Sequence, residues 1–122
     1  MSVKLNRDGF DHAKDLIREG CMVQDEKDEW SKHQPSAEKE NDFIHRHGIA
    51  EFAKRQLGID DEESDQNKGR YKFPYGDFKK VHRCAVLSAE SRAGWYKYYD
   101  IENAAAHLHG TIDARQPAHA KH

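Results

Sequence analysis

Apolar positions fall at helical spacing in five stretches of the chain. Phe10, Ala13, Leu16 and Ile17 share one face of a helix that starts near Asn6 or Asp8, either of which can cap its free amides. Gly20 ends it, because a residue without a Cβ takes the left-handed closing turn at little cost. A second helix begins at Pro35-Ser36, with Ser36 as cap and Glu38 and Glu40 near the positive end of the helix dipole. Phe43, Ile44 and His47 continue its face to Gly48, a stop or sharp corner. Ile49, Phe52, Ala53 and Leu57 predict a third short helix closed by Gly58, which gives residues 36–58 the outline of a helical hairpin or helix-turn-helix. Asp77 is the expected cap of a fourth helix with Val81, Cys84, Ala85, Ser88, Ser91 and Trp95 inward. Asp100 is the expected cap of a fifth, with Ile101, Ala104, Ala105, Leu108 and Ile112 inward.

Two short runs break this period. Cys21-Met22-Val23 is apolar throughout, and Arg70-Tyr71-Lys72-Phe73 alternates polar with aromatic before Pro74 and Gly76, so both suit strands. They are expected to pair with each other, over residues 21–24 and 70–73. Asp25 to Lys32 is charged and reads as a loop anchored by Trp30. Asp60 to Gly69 holds no apolar residue and reads as an acidic mobile loop. The tail from Arg115 to His122 is small and polar, and is expected to fray. The expected fold is therefore mainly α, a compact single domain over residues 1–114 with about five short helices and at most a small two-stranded β element. The alternative to this monomer is an open helical hairpin arrangement that needs a homodimer to bury its aromatics.

Composition narrows the class. At 122 residues the chain is about one domain long. Met1 to Asp8 has no apolar core for a signal peptide and no stretch reaches the length of a membrane span, so a cytoplasmic location with reduced Cys21 and Cys84 is expected. The net charge of −2 conceals a split: residues 1–66 carry 10 basic and 17 acidic groups, residues 67–122 carry 10 basic and 5 acidic. Such polarity can steer a partner or hold the two halves together.

Nine histidines (His12, His33, His45, His47, His82, His107, His109, His119 and His122) raise the question of a metal. His45/His47, His107/His109 and His82/Cys84 stand two apart, which on a helix points side chains about 200° apart. The i, i+4 spacing that does converge on a helix face is absent. No local spacing assigns a metal ligand or cofactor, although a site assembled from separate elements stays open. There is no catalytic constellation either: Ser88 and Ser91 lack a strand-to-helix elbow, and no glycine-rich phosphate loop or dinucleotide fingerprint occurs.

Lys68 to Lys97 holds eight basic residues against Asp77 and Glu90, interleaved with aromatics. Cations neutralise phosphates and aromatic faces stack on unpaired bases, which makes this the candidate nucleic-acid or partner-binding segment. Arg70, Lys72, Lys79, Lys80 and Arg83 cluster around the Pro74-Tyr75-Gly76 turn as candidate contacts. Tyr75, at the turn and outside any periodic face, is the aromatic expected to be exposed. The negative net charge runs against a typical nucleic-acid binder, so a protein is the favoured partner.

The stretch Tyr71-Lys72-Phe73-Pro74-Tyr75-Gly76-Asp77-Phe78, followed by Ser88-Ala89-Glu90-Ser91-Arg92-Ala93, resembles a family of short uncharacterised bacterial proteins. Trp30, His33-Gln34-Pro35-Ser36, Phe43-Ile44 and Leu57-Gly58-Ile59-Asp60 extend the resemblance over most of the chain. Tyr71 to Pro74 with Val81 to Ala93 is similar, over a shorter span, to a strand-then-helix module of phage-associated proteins. Neither resemblance implies a catalytic residue or an activity. The expected function is that of a small non-enzymatic binding module with a macromolecular partner; the alternative is a small metal-binding protein or enzyme that uses the histidines.

Overall fold

Residues 3–115 are described by a computed structural model. The elements run β1 (Val3–Leu5), α1 (Arg7–Arg18), β2 (Met22–Val23), α2 (Trp30–His33), α3 (Ala37–His47), α4 (Ile49–Ala53), β3 (Gln56–Asp60), β4 (Tyr71–Pro74), β5 (Val81–His82), α5 (Arg83–Trp95) and α6 (Tyr99–Arg115). The fold is mainly α, with α5 and α6 forming a helical hairpin whose inner face carries most of the core. Two small sheets flank it: an antiparallel one ordered β1-β3-β4, and a parallel pair of two residues each, β2-β5. Among the described residues no helix is long and apolar enough to cross a membrane.

Several local signals act where the sequence places them. At the end of α1, Gly20 has φ +81°, its N–H donates to Ile17 O and the Cys21 N–H to Leu16 O, the paired bonds of a left-handed helix close. The Ser36 side chain accepts from the Lys39 N–H at 3.1 Å and opens α3. Gly48, at φ +90°, makes the corner into α4. Ile101, Ala104, Ala105, Leu108 and Ile112 of α6 are all buried.

Long-range pairing overrides the local period elsewhere. Leu57 and Gly58 belong to no helix; they lie in β3, the central strand, where Gly58 pairs with Leu5 on one side and Lys72 on the other. β4 therefore pairs with β3 and not with residues 21–24, and β2 pairs with β5 in the register Met22–Val81 and Val23–His82. The sheet wins because β3 gains partners on both edges, whereas a helix continued from α4 would have one apolar stripe. α2 forms within the segment expected to be a loop. The fourth helix begins at Arg83 and not at Asp77, whose carboxylate instead accepts the N–H groups of Lys79 and Lys80 at 3.0 and 2.9 Å and closes a turn. The inward face of α5 is Cys84, Ala85, Val86, Ala89 and Ala93; Trp95, two residues past Ala93, points about 200° away from it and is 83% exposed. Residues 61–67 are exposed along their whole length. The expected frayed tail lies outside the described residues beyond Arg115, which ends α6.

Asn6 shows how α1 is held. Its side chain caps nothing; it donates to Ala53 O at 2.8 Å and Gln56 O at 3.0 Å, and its backbone N–H donates to Leu57 O. The first turn of α1 thus lies directly on the β3 backbone, and a Cβ at Gly9 would come within 2.0 Å of Gln56 O. Gly9→Ala is expected to cost about 3 kcal/mol, since backbone atoms must move apart. Gly110→Ala, in α6 with nothing within 4 Å of the added Cβ, is expected to gain about 0.5–1 kcal/mol from helix propensity. Urea unfolding of the two variants beside wild type checks both signs.

Candidate functional site

The parallel pairing of β2 with β5 brings Asp25, two residues beyond Val23, against the start of α5. His82 ends β5 and is 4% exposed. Its Nδ1 lies 2.8 Å from Asp25 Oδ2 and its Nε2 lies 2.8 Å from Asp77 Oδ2, so one imidazole bridges two carboxylates from separate loops. The other oxygen of Asp25 accepts the Cys84 N–H at 2.8 Å. His82, the residue preceding α5, offers that helix no side-chain cap, and Asp25 supplies the missing acceptor at its positive end. The Cys84 sulfur belongs to the same cluster, within 4.8 Å of a carboxylate oxygen of Asp25 and a ring nitrogen of His82. His33 of α2 covers the cluster: its ring centroid lies 4.9 Å from that of His82, and its Nε2 is 3.7 Å from Asp25 Oδ2 and 3.8 Å from Glu29 Oε1. Trp30 packs beside Cys84 and Ala85 and closes the apolar side.

The electrostatics follow from this geometry. Burial disfavours charge on His82, but the hydrogen bonds it donates to Asp25 and Asp77 outweigh it and raise the imidazole above its ordinary value. Burial likewise works against Asp25 and Asp77, yet His82 and the backbone amides they accept hold both carboxyls below theirs. Cys84 is pushed up to about 12, by burial first and then by Asp25. At neutral pH it is a thiol, not a thiolate, and so a poor nucleophile. With both ring nitrogens engaged, His82 has no free lone pair with which to act as a base.

Arg83 carries the network onward. Its Nε donates to Asp113 Oδ1 at 2.8 Å and its NH1 to Asp25 O at 3.3 Å. His109 then lies between Asp113 Oδ2, at 2.9 Å, and Glu90 Oε1, at 3.1 Å, so the same motif of an imidazole between two carboxylates recurs where α5 faces α6.

The residues singled out around the Pro74-Tyr75-Gly76 turn are dispersed. Arg83 is committed to Asp113, and Arg70 NH1 donates to Glu63 O at 2.7 Å. Lys72 lies half-buried on β4, while Lys79 and Lys80 are exposed side by side. Tyr75 is not exposed. It is 1% accessible, its hydroxyl donates to Lys54 O at 2.6 Å, and its backbone bonds to Arg55 and His82 draw the turn inward. Asp25 is the residue that sequence reasoning missed, since it reads as one acid in a charged loop. Its only clue was the apolar run at residues 21–23, a strand whose partner the sequence could not name.

This cluster gives stability a definite pH profile. The raised His82 value contributes stability that is complete below its ordinary 6.5 and is lost as pH rises through the higher folded value. The lowered carboxyls contribute above their ordinary 3.8 and lose that as pH falls through the lower folded values. His82→Asn, which leaves Asp25 buried without its cation, is expected to cost about 3 kcal/mol at pH 5.5 and clearly less at pH 8.5. Urea unfolding of wild type and variant at the two pH values, with a chelator present, checks this; an equal difference at both would show that folding does not raise the imidazole above its ordinary value.

Compared with known proteins, the chain matches no family model, no curated protein and no solved structure.

Proposed function

We propose that this protein is a non-enzymatic interaction module that docks another protein on the aromatic end of the α5–α6 hairpin. The observation that carries this reading is the exposure, within five residues, of Trp95 (83%), Tyr96 (56%) and Tyr99 (59%). Tryptophan and tyrosine dominate the energetics of protein interfaces, and a concentration of them in water is a cost that a partner removes. The turn that presents them has a fixed shape: Tyr98 N–H donates to Ala93 O and Lys97 N–H to Gly94 O, the same helix close as at Gly20. Here a lysine, not a glycine, occupies the left-handed position, at φ +64°. Tyr98 packs edge-on against Phe73, and Tyr96 stacks on Tyr98 with ring centroids 5.7 Å apart, so Tyr96 is backed by the core.

Charge and placement favour a protein over a nucleic acid. Arg92 and Lys97, both exposed, flank the aromatics and suit a surface that combines apolar groups with carboxylates. Among the other cations of the basic segment, Arg83 is neutralised internally and Lys79 and Lys80 lie on the turn closed by Asp77. A groove of about 750 Å³ beside that turn is bordered by Arg46 and Arg55, which pair with Asp42 and Glu51. Little net positive charge is left there for a phosphate backbone.

A photo-crosslinking residue placed at Trp95 in the source cells tests the reading, with one at the exposed Asp65 as control. One discrete protein adduct at position 95 and none at 65 is expected, and Tyr99→Ala should weaken the purified pair by about 30-fold or more. Adducts only to nucleic acid or to a second copy of the chain, or no position-specific adduct, would overturn it.

A further inference from the structure

We propose that Asp25, His33, His82 and Cys84 form a binding site for one zinc-class divalent cation. One oxygen of Asp25, one ring nitrogen of His82 and the sulfur of Cys84 lie within 4.8 Å of one another, and all three residues are buried. His33, half-exposed and outside this trio, has its Nε2 3.7 Å from Asp25 Oδ2, so a swing of its ring would bring it in as the fourth donor from the solvent side. The set of one oxygen, two imidazole nitrogens and one sulfur suits a borderline-soft tetrahedral ion and not magnesium or calcium, which take oxygen ligands. Tetrahedral bonds of 2.0–2.3 Å put neighbouring donors roughly 3.3–3.8 Å apart, so side-chain shifts of about 1 Å suit the trio to an ion, and His33 completes the site by swinging its ring inward.

Asp77 supplies the second argument. It lies 2.8 Å from His82 Nε2 and occupies that side of the ring, which leaves Nδ1, on the Asp25 side, as the nitrogen for an ion. A carboxylate on the distal nitrogen of a ligating histidine is the usual support for a metal-bound imidazole. The ion would take the place of the proton that His82 Nδ1 shares with Asp25 and would displace the thiol proton of Cys84, so two protons leave for each cation bound. Cation, Asp25 carboxylate and Cys84 thiolate would then sum to zero charge in a buried space. The ion would also clamp α2, the loop after β2 and the start of α5 together, which gives it a structural role compatible with the docking function.

Cobalt(II) titration of tag-free, chelator-stripped protein tests the site, because four-coordinate cobalt has visible bands and a thiolate ligand adds a near-ultraviolet charge-transfer band. One cobalt per chain with both features is expected, displaced by one equivalent of zinc. Cys84→Ser should lose the charge-transfer band. His33→Asn, at a half-exposed position where little of the fold is at stake, should weaken binding at least 10-fold, and Asp77→Asn about 10-fold or more. A wild-type titration without the charge-transfer band, or a band unchanged in Cys84→Ser, would overturn the proposal and leave the cluster as a hydrogen-bonded clip. So would undiminished affinity in His33→Asn.

Discussion

The imidazole of His82, held between Asp25 and Asp77, ties together three segments that have little else in common. A parallel pairing of two residues per strand cannot stand by itself, and β2-β5 is such a pairing. What fixes it is the network at its end: Asp25 reaches from the loop after β2 to the His82 ring and the Cys84 amide, while Asp77 reaches the same ring from the opposite side. Charges buried this deeply are tolerated only when each meets a partner, and here each does. The start of α5 depends on the cluster as well, since its first turn is capped from a distant loop and not by its own sequence.

From that start the rest of the core is laid down. α5 faces α6 with Ala89 and Ala93 in one core cluster with Ala105 and Leu108, all buried. Small side chains let two helices approach closely, and a thin interface leaves little room for large rings. The rings go elsewhere: Phe73 and Tyr75 fill the space between hairpin and sheet, and Trp95, Tyr96 and Tyr99 are left in solvent at the hairpin's closed end. The Arg83–Asp113 and His109 pairs hold the two helices in register along their polar edge. The ion-paired end of the hairpin lies opposite the end at which these aromatics are exposed.

The same cluster suppresses reactivity. A cysteine at a helix start would ordinarily gain acidity from the helix dipole, yet Asp25 occupies that end and burial raises the thiol further. Acid–base chemistry at His82 is blocked in the same way, since both nitrogens already have partners. The arrangement favours holding over reacting, which suits both a structural clip and an ion that replaces a proton within it.

Composition and local spacing by themselves determined a mainly α chain, the closing turn at Gly20, the Ser36 cap, the Gly48 corner, the strand at residues 71–73 and the buried face of α6. Each of these rests on forces acting within about four residues: a side chain on a nearby amide, a missing Cβ, a stripe at 3.6-residue spacing. Only the tertiary structure decided that Leu57 and Gly58 join a strand, that β4 chooses β3 and β2 chooses β5, that Tyr75 turns inward while Trp95 turns out, and that Asp25 meets His82 across 57 positions. Strand partners and buried ion pairs are selected by which surfaces the helices leave open, and that competition involves the whole chain at once. Asp25 among Asp25-Glu26-Lys27-Asp28-Glu29 carries no local mark of the role; it acquires one when two residues of parallel strand put its carboxylate at the end of α5.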